Sequence, residues 1–194
     1  MPEKIIIGIT GSFSSGKTVI SAMFEKKGAR RIDVDAVGHE LLSEPVVKEK
    51  LVKFFGKEIL QDEKIDRRKL GNIVFFDDAK LAVLNNLVHP MIVERVRQTI
   101  VLYNDKIILI DAALLFEMGL DKVADKIIII LSNYDEQIKR AIDRGYTKEV
   151  AERIMSRQTL SKQSLKRADY IIENNGSFNI IKDKVEEIWR KVQK

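Results

Sequence analysis

Eight residues constrain this chain more than any others. Gly11-Ser12-Phe13-Ser14-Ser15-Gly16-Lys17-Thr18 spells G-x-x-x-x-G-K-[ST]. Just before it, KIIIGIT (Lys4 to Thr10) is β-branched and almost uniformly apolar, as strands covered on both faces of a parallel sheet are. After it, Val19, Ile20, Met23 and Phe24 recur at helical spacing, and Gly28 sits where a helix C-terminus requires a positive φ. In that strand–loop–helix setting the motif has a mechanism. Gly11 and Gly16 allow a tight bend and close approach to phosphate oxygens, and the loop amides with the helix N-terminus behind them form an anion cradle. Lys17 then reaches the β- and γ-phosphates, and Thr18 offers a hydroxyl to magnesium. The whole segment, Gly11, Ser12, Phe13, Ser14, Ser15, Gly16, Lys17 and Thr18, is expected to bind a nucleoside triphosphate.

The remaining pattern alternates in the same way. Ala29 to Val34 reads as a second strand. Lys106 to Ile110 (KIILI), Lys126 to Leu131 (KIIIIL) and the shorter Tyr170 to Ile172 come later, with helical patterns between them. Strands alternating with helices predict an α/β fold with a parallel sheet and crossover helices. The stretch from 36 to 104 has no strong strand and reads as helices broken near Pro45, Gly56, Gly71 and Pro90, hence a mostly helical insertion. A second helical stretch, 135–167, is rich in Arg and Lys and reads as a lid. A last helix over Asn179 to Val192 is expected to bury Ile180, Ile181, Val185, Ile188 and Trp189, and Phe75 and Phe76 read as core residues. The core is thus assigned to 1–35, 105–134 and 168–194 of a single domain.

Composition narrows the function classes. The 194 residues include 45% hydrophobic ones, enough for a sizeable core, and carry a net charge of +5. The basic residues are scattered, without the clusters and interleaved aromatics of a nucleic-acid surface, so an anionic small molecule is the better match. The chain has no cysteine, which excludes disulfides and thiolate metal sites and fits a reducing cytosol. The Met-Pro-Glu-Lys start lacks the pattern of a secretory leader, and no apolar run approaches a bilayer span of about 20 residues. The expectation is a soluble cytoplasmic protein with no nucleic acid, membrane or obligate protein partner.

Phosphoryl transfer to a hydroxyl needs a carboxylate to take up the proton and cations to hold the charge in flight. Asp33 and Asp35 come after the second strand, at the end of the sheet that borders the ligand crevice. At most one of the pair is expected to face the transferring phosphate. Asp35 reads as a catalytic base or as a helix cap, and Asp33 as a cap or a partner of magnesium-bound water. Asp111, closing KIILI, is a magnesium-side carboxylate or a strand-end turn residue. Among Arg140, Arg144, Arg153 and Arg157, one or two are expected to meet phosphate, Arg140 first. His89, before Pro90, packs or caps a helix, or else touches substrate. His39 and His89 do not resemble a metal pair.

Taken in order, these residues resemble the dephospho-coenzyme A kinase family over nearly the whole chain. The likeness runs from Ile9 to Thr18 through Asp33-Val34-Asp35. It continues with Asp66-Arg67-Arg68-Lys69-Leu70-Gly71 to Phe75, and with His89-Pro90 and Ile92. Asp111 with Leu114-Leu115-Phe116-Glu117 comes next, then Gln137, Arg140 and Arg144, and finally Ala168-Asp169-Tyr170 to Asn174-Asn175-Gly176. The resemblance implies a P-loop NTPase fold, three layers α/β/α, with a helical coenzyme A subdomain and a lid. It implies transfer of the ATP γ-phosphate to the ribose 3′-hydroxyl of dephospho-coenzyme A, with magnesium. On that pattern Asp35 is the base, Lys17 and Arg140 stabilise the phosphoryl group, and Thr18 with Asp111 serves the metal. Arg144 and Asn175 lie on the ATP side, Asn175 towards adenine. Asp33, Asp35, His89, Leu114 and Glu117 lie on the acceptor side. The chain departs from the pattern at Ser12 and Ser14, where glycines are common, at Ala113, where proline is usual, and at His39, where arginine is frequent.

Other classes share the loop. A GTP switch wants an Asn-Lys-x-Asp segment, which is absent here. A different metabolite kinase on the same fold differs only in its acceptor, and a nucleoside monophosphate kinase accepts on phosphate. The Asp35 position and the helical insertion favour a hydroxyl acceptor.

Overall fold

The computed structural model describes residues 4–74 and 76–193. Residues 1–3, on which the expectation about a secretory leader falls, and Phe75, expected in the core, lie outside the described residues. The elements are β1 (Ile5–Gly11), α1 (Lys17–Lys26), β2 (Arg30–Asp33), α2 (Val34–Leu41), α3 (Pro45–Phe55), β3 (Leu60–Gln61), β4 (Lys64–Ile65), α4 (Arg67–Val74), α5 (Asp78–Leu102), β5 (Ile107–Asp111), β6 (Lys126–Leu131), α6 (Tyr134–Asp143), α7 (Lys148–Arg157), α8 (Lys162–Lys166), β7 (Tyr170–Glu173) and α9 (Phe178–Val192). They fall into two compact units, one running up to Asp33 and from Ile100 onward, the other Val34–Thr99.

The first unit is built on a five-stranded sheet of order β2-β5-β1-β6-β7, in which every pairing is parallel. Helices flank it, as strands that are apolar on both faces require. Ile7, Ile9, Leu109, Ile128 and Ile130 from the central strands pack with Ile20 and Phe24 of α1 and with Val185, Ile188 and Trp189 of α9 in one apolar cluster. The sequence pattern located these strands to within a residue or two. Helix α1 closes as expected: Gly28 takes φ 109°, and the N–H of Ala29 donates to Phe24 O at 3.2 Å. Helix α9 departs from expectation at one position. Ile180 is 62% exposed, outside the buried face that holds Ile181 and Val185.

The second unit is mostly helical, with Leu51 and Ile59 fully buried. Three expectations fail there. Gly71 lies inside α4 and Pro90 inside α5, so neither breaks a helix. Phe76, 71% exposed in the turn after α4, is not a core residue. The unit also contains a small antiparallel hairpin, β3 with β4, which no sequence pattern announced. Among the described residues no helix is long and apolar enough to cross a membrane.

Candidate active site

All strands of the parallel sheet end on one side, and the chemically active groups of the first unit gather there. The register places Ile9 of β1 beside Asp111 of β5, and Asp111 beside Asp33 of β2. Two residues past Ile9 the chain turns through the phosphate loop. Gly16 caps α1 in the left-handed conformation at φ 92°, and Ser14 also has a positive φ, 57°. A side chain at Gly11 would meet Ser15 Oγ at 2.6 Å and Ile130 O at 2.7 Å, and one at Gly16 would overlap Asn174 Nδ2. Both glycines are therefore fixed by space, and Gly16 by dihedral as well.

Asp111 has no solvent exposure, and a buried carboxylate needs partners. It has two. Lys17 Nζ donates to its Oδ1, and Arg31 donates to Oδ2 from Nε at 2.8 Å. Arg31 Nη2 lies 2.7 Å from that oxygen and 3.0 Å from Asp33 Oδ2. The loop lysine and two strand-end carboxylates thus form one charge network.

A second network comes from the lid side. Arg140, in the last turn of α6, donates from Nη1 to Ser15 O at 3.3 Å and to Ser132 Oγ at 3.2 Å, and from Nη2 to Asn174 O at 2.8 Å. Glu136, one turn back, pairs with it at 3.2 Å. Buried Gln137 donates to Ser12 Oγ at 2.6 Å, and Asn174 Nδ2 donates to Ser15 O at 2.7 Å. Phe13 stacks edge-on against Tyr146, with ring centroids 5.2 Å apart, and packs with Ile138, Ala141 and Ala151.

The loop fits a polyphosphate. The first N–H groups of a helix have no intrahelical acceptor, and they face whatever the loop holds. Ser14 Oγ and Ser15 Oγ are buried without a hydrogen-bond partner among the described residues. A metal would find the exposed Thr18 hydroxyl in the first turn of α1. No cluster of three or more His, Asp or Glu side chains able to hold a metal exists among the described residues.

The structure brings Gly11 to Thr18, Asp33, Asp111 and Arg140 into one unit at one sheet end. Arg144 is the exposed C-cap of α6. Asn175 lies just past β7, and its Oδ1 accepts from the N–H of Asn133 at 2.7 Å. In the turn after β5, Leu114 is half-buried and Glu117 exposed. Asp35 and His89 belong to the other unit. His89 is half-buried in α5, and desolvation holds its pKa below the usual histidine value. The strand expected to deliver both Asp33 and Asp35 ends at Asp33, so Asp35 lies in the first turn of α2. There the helix dipole favours a carboxylate. The notion that only one of the pair could face the phosphate does not apply: residues two apart share a strand face, and here one is on a strand and the other on a helix. Sequence reasoning gave no role to Arg31, Asn174 or Ser132. Arg31 was within reach of it, since it stands two residues before Asp33 on the same strand face.

Comparison with known proteins adds to this geometry. The family model described as dephospho-CoA kinase matches residues 5–179. A dephospho-CoA kinase from Fusobacterium nucleatum is 37% identical over 190 residues, covering 97% of this chain and 98% of its own length. One from Aquifex aeolicus is 37% identical, with 97% and 94% covered. Among solved structures, the dephospho-CoA kinase from Campylobacter jejuni aligns over 96% of both chains, with TM-score 0.70 and 26% identity. A shikimate kinase from Bacteroides thetaiotaomicron aligns with TM-score 0.57 at 14% identity over 98% of this chain and 99% of its own, a likeness of fold alone.

Proposed function

Because the chain belongs to the dephospho-CoA kinase family, the kinases of the last step of coenzyme A biosynthesis, we propose that it transfers the γ-phosphate of ATP to the ribose 3′-hydroxyl of dephospho-coenzyme A. The observation that carries this reading is the loop between β1 and α1, with left-handed Gly16 and with Lys17 at its end. The coarser conclusion, a kinase with a nucleotide co-substrate and a small-molecule acceptor, stands on the family itself.

In the proposed reaction Asp35 accepts the proton of the 3′-hydroxyl as its oxygen bonds to the γ-phosphorus. The bond from that phosphorus to the β–γ bridging oxygen breaks, and ADP leaves. Lys17 and Arg140 neutralise the oxygens of the moving group. Their value lies in being charged and positioned before the reaction begins. Magnesium, when bound, would be held by Thr18 and Asp111 and would supply further charge compensation. The helical stretch 36–104, with Asp35 and His89, is assigned to the acceptor together with Asp33, Leu114 and Glu117. The stretch 135–167 is assigned to the lid, with Arg144 and Asn175 on the nucleotide side.

The test is direct. Purified protein is incubated with ATP, magnesium and dephospho-coenzyme A, beside tubes holding adenosine, shikimate or a nucleoside monophosphate, and each acceptor is followed by mass spectrometry. A single added phosphate at the 3′-position of dephospho-coenzyme A alone is the expected result. Phosphorylation of another acceptor instead would overturn the assignment while leaving the loop chemistry intact.

A further inference from the structure

Asp33 and Asp111 are register partners on neighbouring parallel strands, so two carboxylates stand side by side where both strands end. Like charges at that spacing repel unless a cation lies between them. Arg31 supplies it, spanning Asp111 Oδ2 at 2.7 Å and Asp33 Oδ2 at 3.0 Å. Its guanidinium, with five donors in a rigid fork, suits the position better than a single ammonium would. Lys17 holds the other oxygen of the same buried Asp111.

This sharing has a consequence for the loop. If Lys17 is to serve a triphosphate, it must loosen its hold on Asp111. A fully buried carboxylate left without a cation is strongly unfavourable. We propose that Arg31 is a positioning residue that keeps Asp111 compensated when Lys17 turns to phosphate, so that nucleotide binding does not strand a buried charge. This rests on the triphosphate reading of the loop. Arg31 acts through Asp111 and needs no contact with substrate. Its β2 position also keeps it on the sheet and out of the loop that the nucleotide occupies.

A double-mutant cycle tests this. ATP affinity is measured by calorimetric titration, in EDTA to exclude metal, for the wild-type chain, Arg31→Met, Asp111→Asn and the double variant. Arg31→Met is expected to weaken ATP binding by about tenfold or more. In the Asp111→Asn background, where a neutral amide needs no counter-ion, the same change should matter by less than about threefold. Equal loss in both backgrounds would mean that Arg31 acts only as a nearby positive charge, and would overturn the proposal. Wild-type affinity in a folded Arg31→Met would do the same. Should Arg31→Met fail to fold, the comparison of Asp111→Asn with the double variant decides alone: agreement supports the proposal and a tenfold gap overturns it. A wild-type chain that does not bind ATP at all would instead remove the triphosphate reading, a separate failure.

Discussion

Lys17 is bound to Asp111 across 94 residues of sequence, and the aspartate it holds has no exposure to solvent. The loop lysine is therefore part of the folded interior as well as of the phosphate site. Replacing it removes a phosphate ligand and half of the charge compensation of a buried carboxylate. Lys17→Ala should lower kcat/KM by at least about 100-fold, since phosphoryl transfer rests on positioning and charge. It should also weaken ATP binding in titration. Retained turnover in a steady-state assay would refute the role.

Asp35 calls for the opposite separation of effects. Asp35→Asn keeps the size of the side chain and leaves the phosphate loop untouched. ATP affinity should stay within about twofold. Turnover should fall by about 100- to 10,000-fold, the usual contribution of a general base. Single-turnover kinetics with saturating acceptor would separate the two. Near-normal chemistry would return Asp35 to the role of a helix-terminus carboxylate.

Gly16 is constrained twice. Alanine there would have to hold φ near 92° and push Asn174 away from Ser15 O. The dihedral alone costs about 1–3 kcal/mol for a non-glycine residue. Gly16→Ala is therefore expected to lower the urea midpoint and to weaken ATP binding together. Unchanged stability would show that the loop relaxes freely.

His89 gives a stability prediction with a definite sign. Burial holds its folded pKa below the ordinary 6.5, so the unfolded chain binds the proton more readily. Its effect is absent well above pH 6.5, and below that stability falls as pH falls through the folded pKa. Between pH 7 and pH 5, urea melts of His89→Gln should lose less stability than those of the wild-type chain. Parallel curves would show that His89 does not contribute.

The legible parts of this fold were those carried by local pattern. The β-branched runs at Ile5–Gly11, Ile107–Asp111 and Lys126–Leu131 had one credible reading, and the phosphate motif fixed the turn and the helix start after the first of them. Pro90 defeats a local rule that counts only its lost hydrogen bond. Val88, Ile92, Val96 and Ile100 are all buried at four-residue spacing through it, and that stripe outweighs a break worth about 3 kcal/mol. The hairpin was invisible for another reason. Its strands have two residues each, and its turn takes positive φ at Asp62 and Glu63 without a glycine to signal it. At the site, the loop and Lys17 were legible, but the strand-to-helix change at Val34 that places Asp35 was not. Arg31 could be placed on the strand face of Asp33, but its pairing with Asp111 is visible only once the two strands lie side by side.

The hydrogen bond from Asn174 to Ser15 joins the last strand's end to a loop made near the start of the chain. Strand β1 has no partner nearer in sequence than β5, and β6 lies on its other side. During synthesis the phosphate loop emerges before its partners and must wait for them. Its sheet neighbours β5 and β6 follow only after α5, and Asn174, which braces it, comes 159 residues after Ser15. Loops that wait for distant partners close slowly and are exposed meanwhile. A nascent chain of this protein thus carries its most diagnostic segment long before it has an active site, and a product truncated ahead of Asn174 would display the motif without that brace.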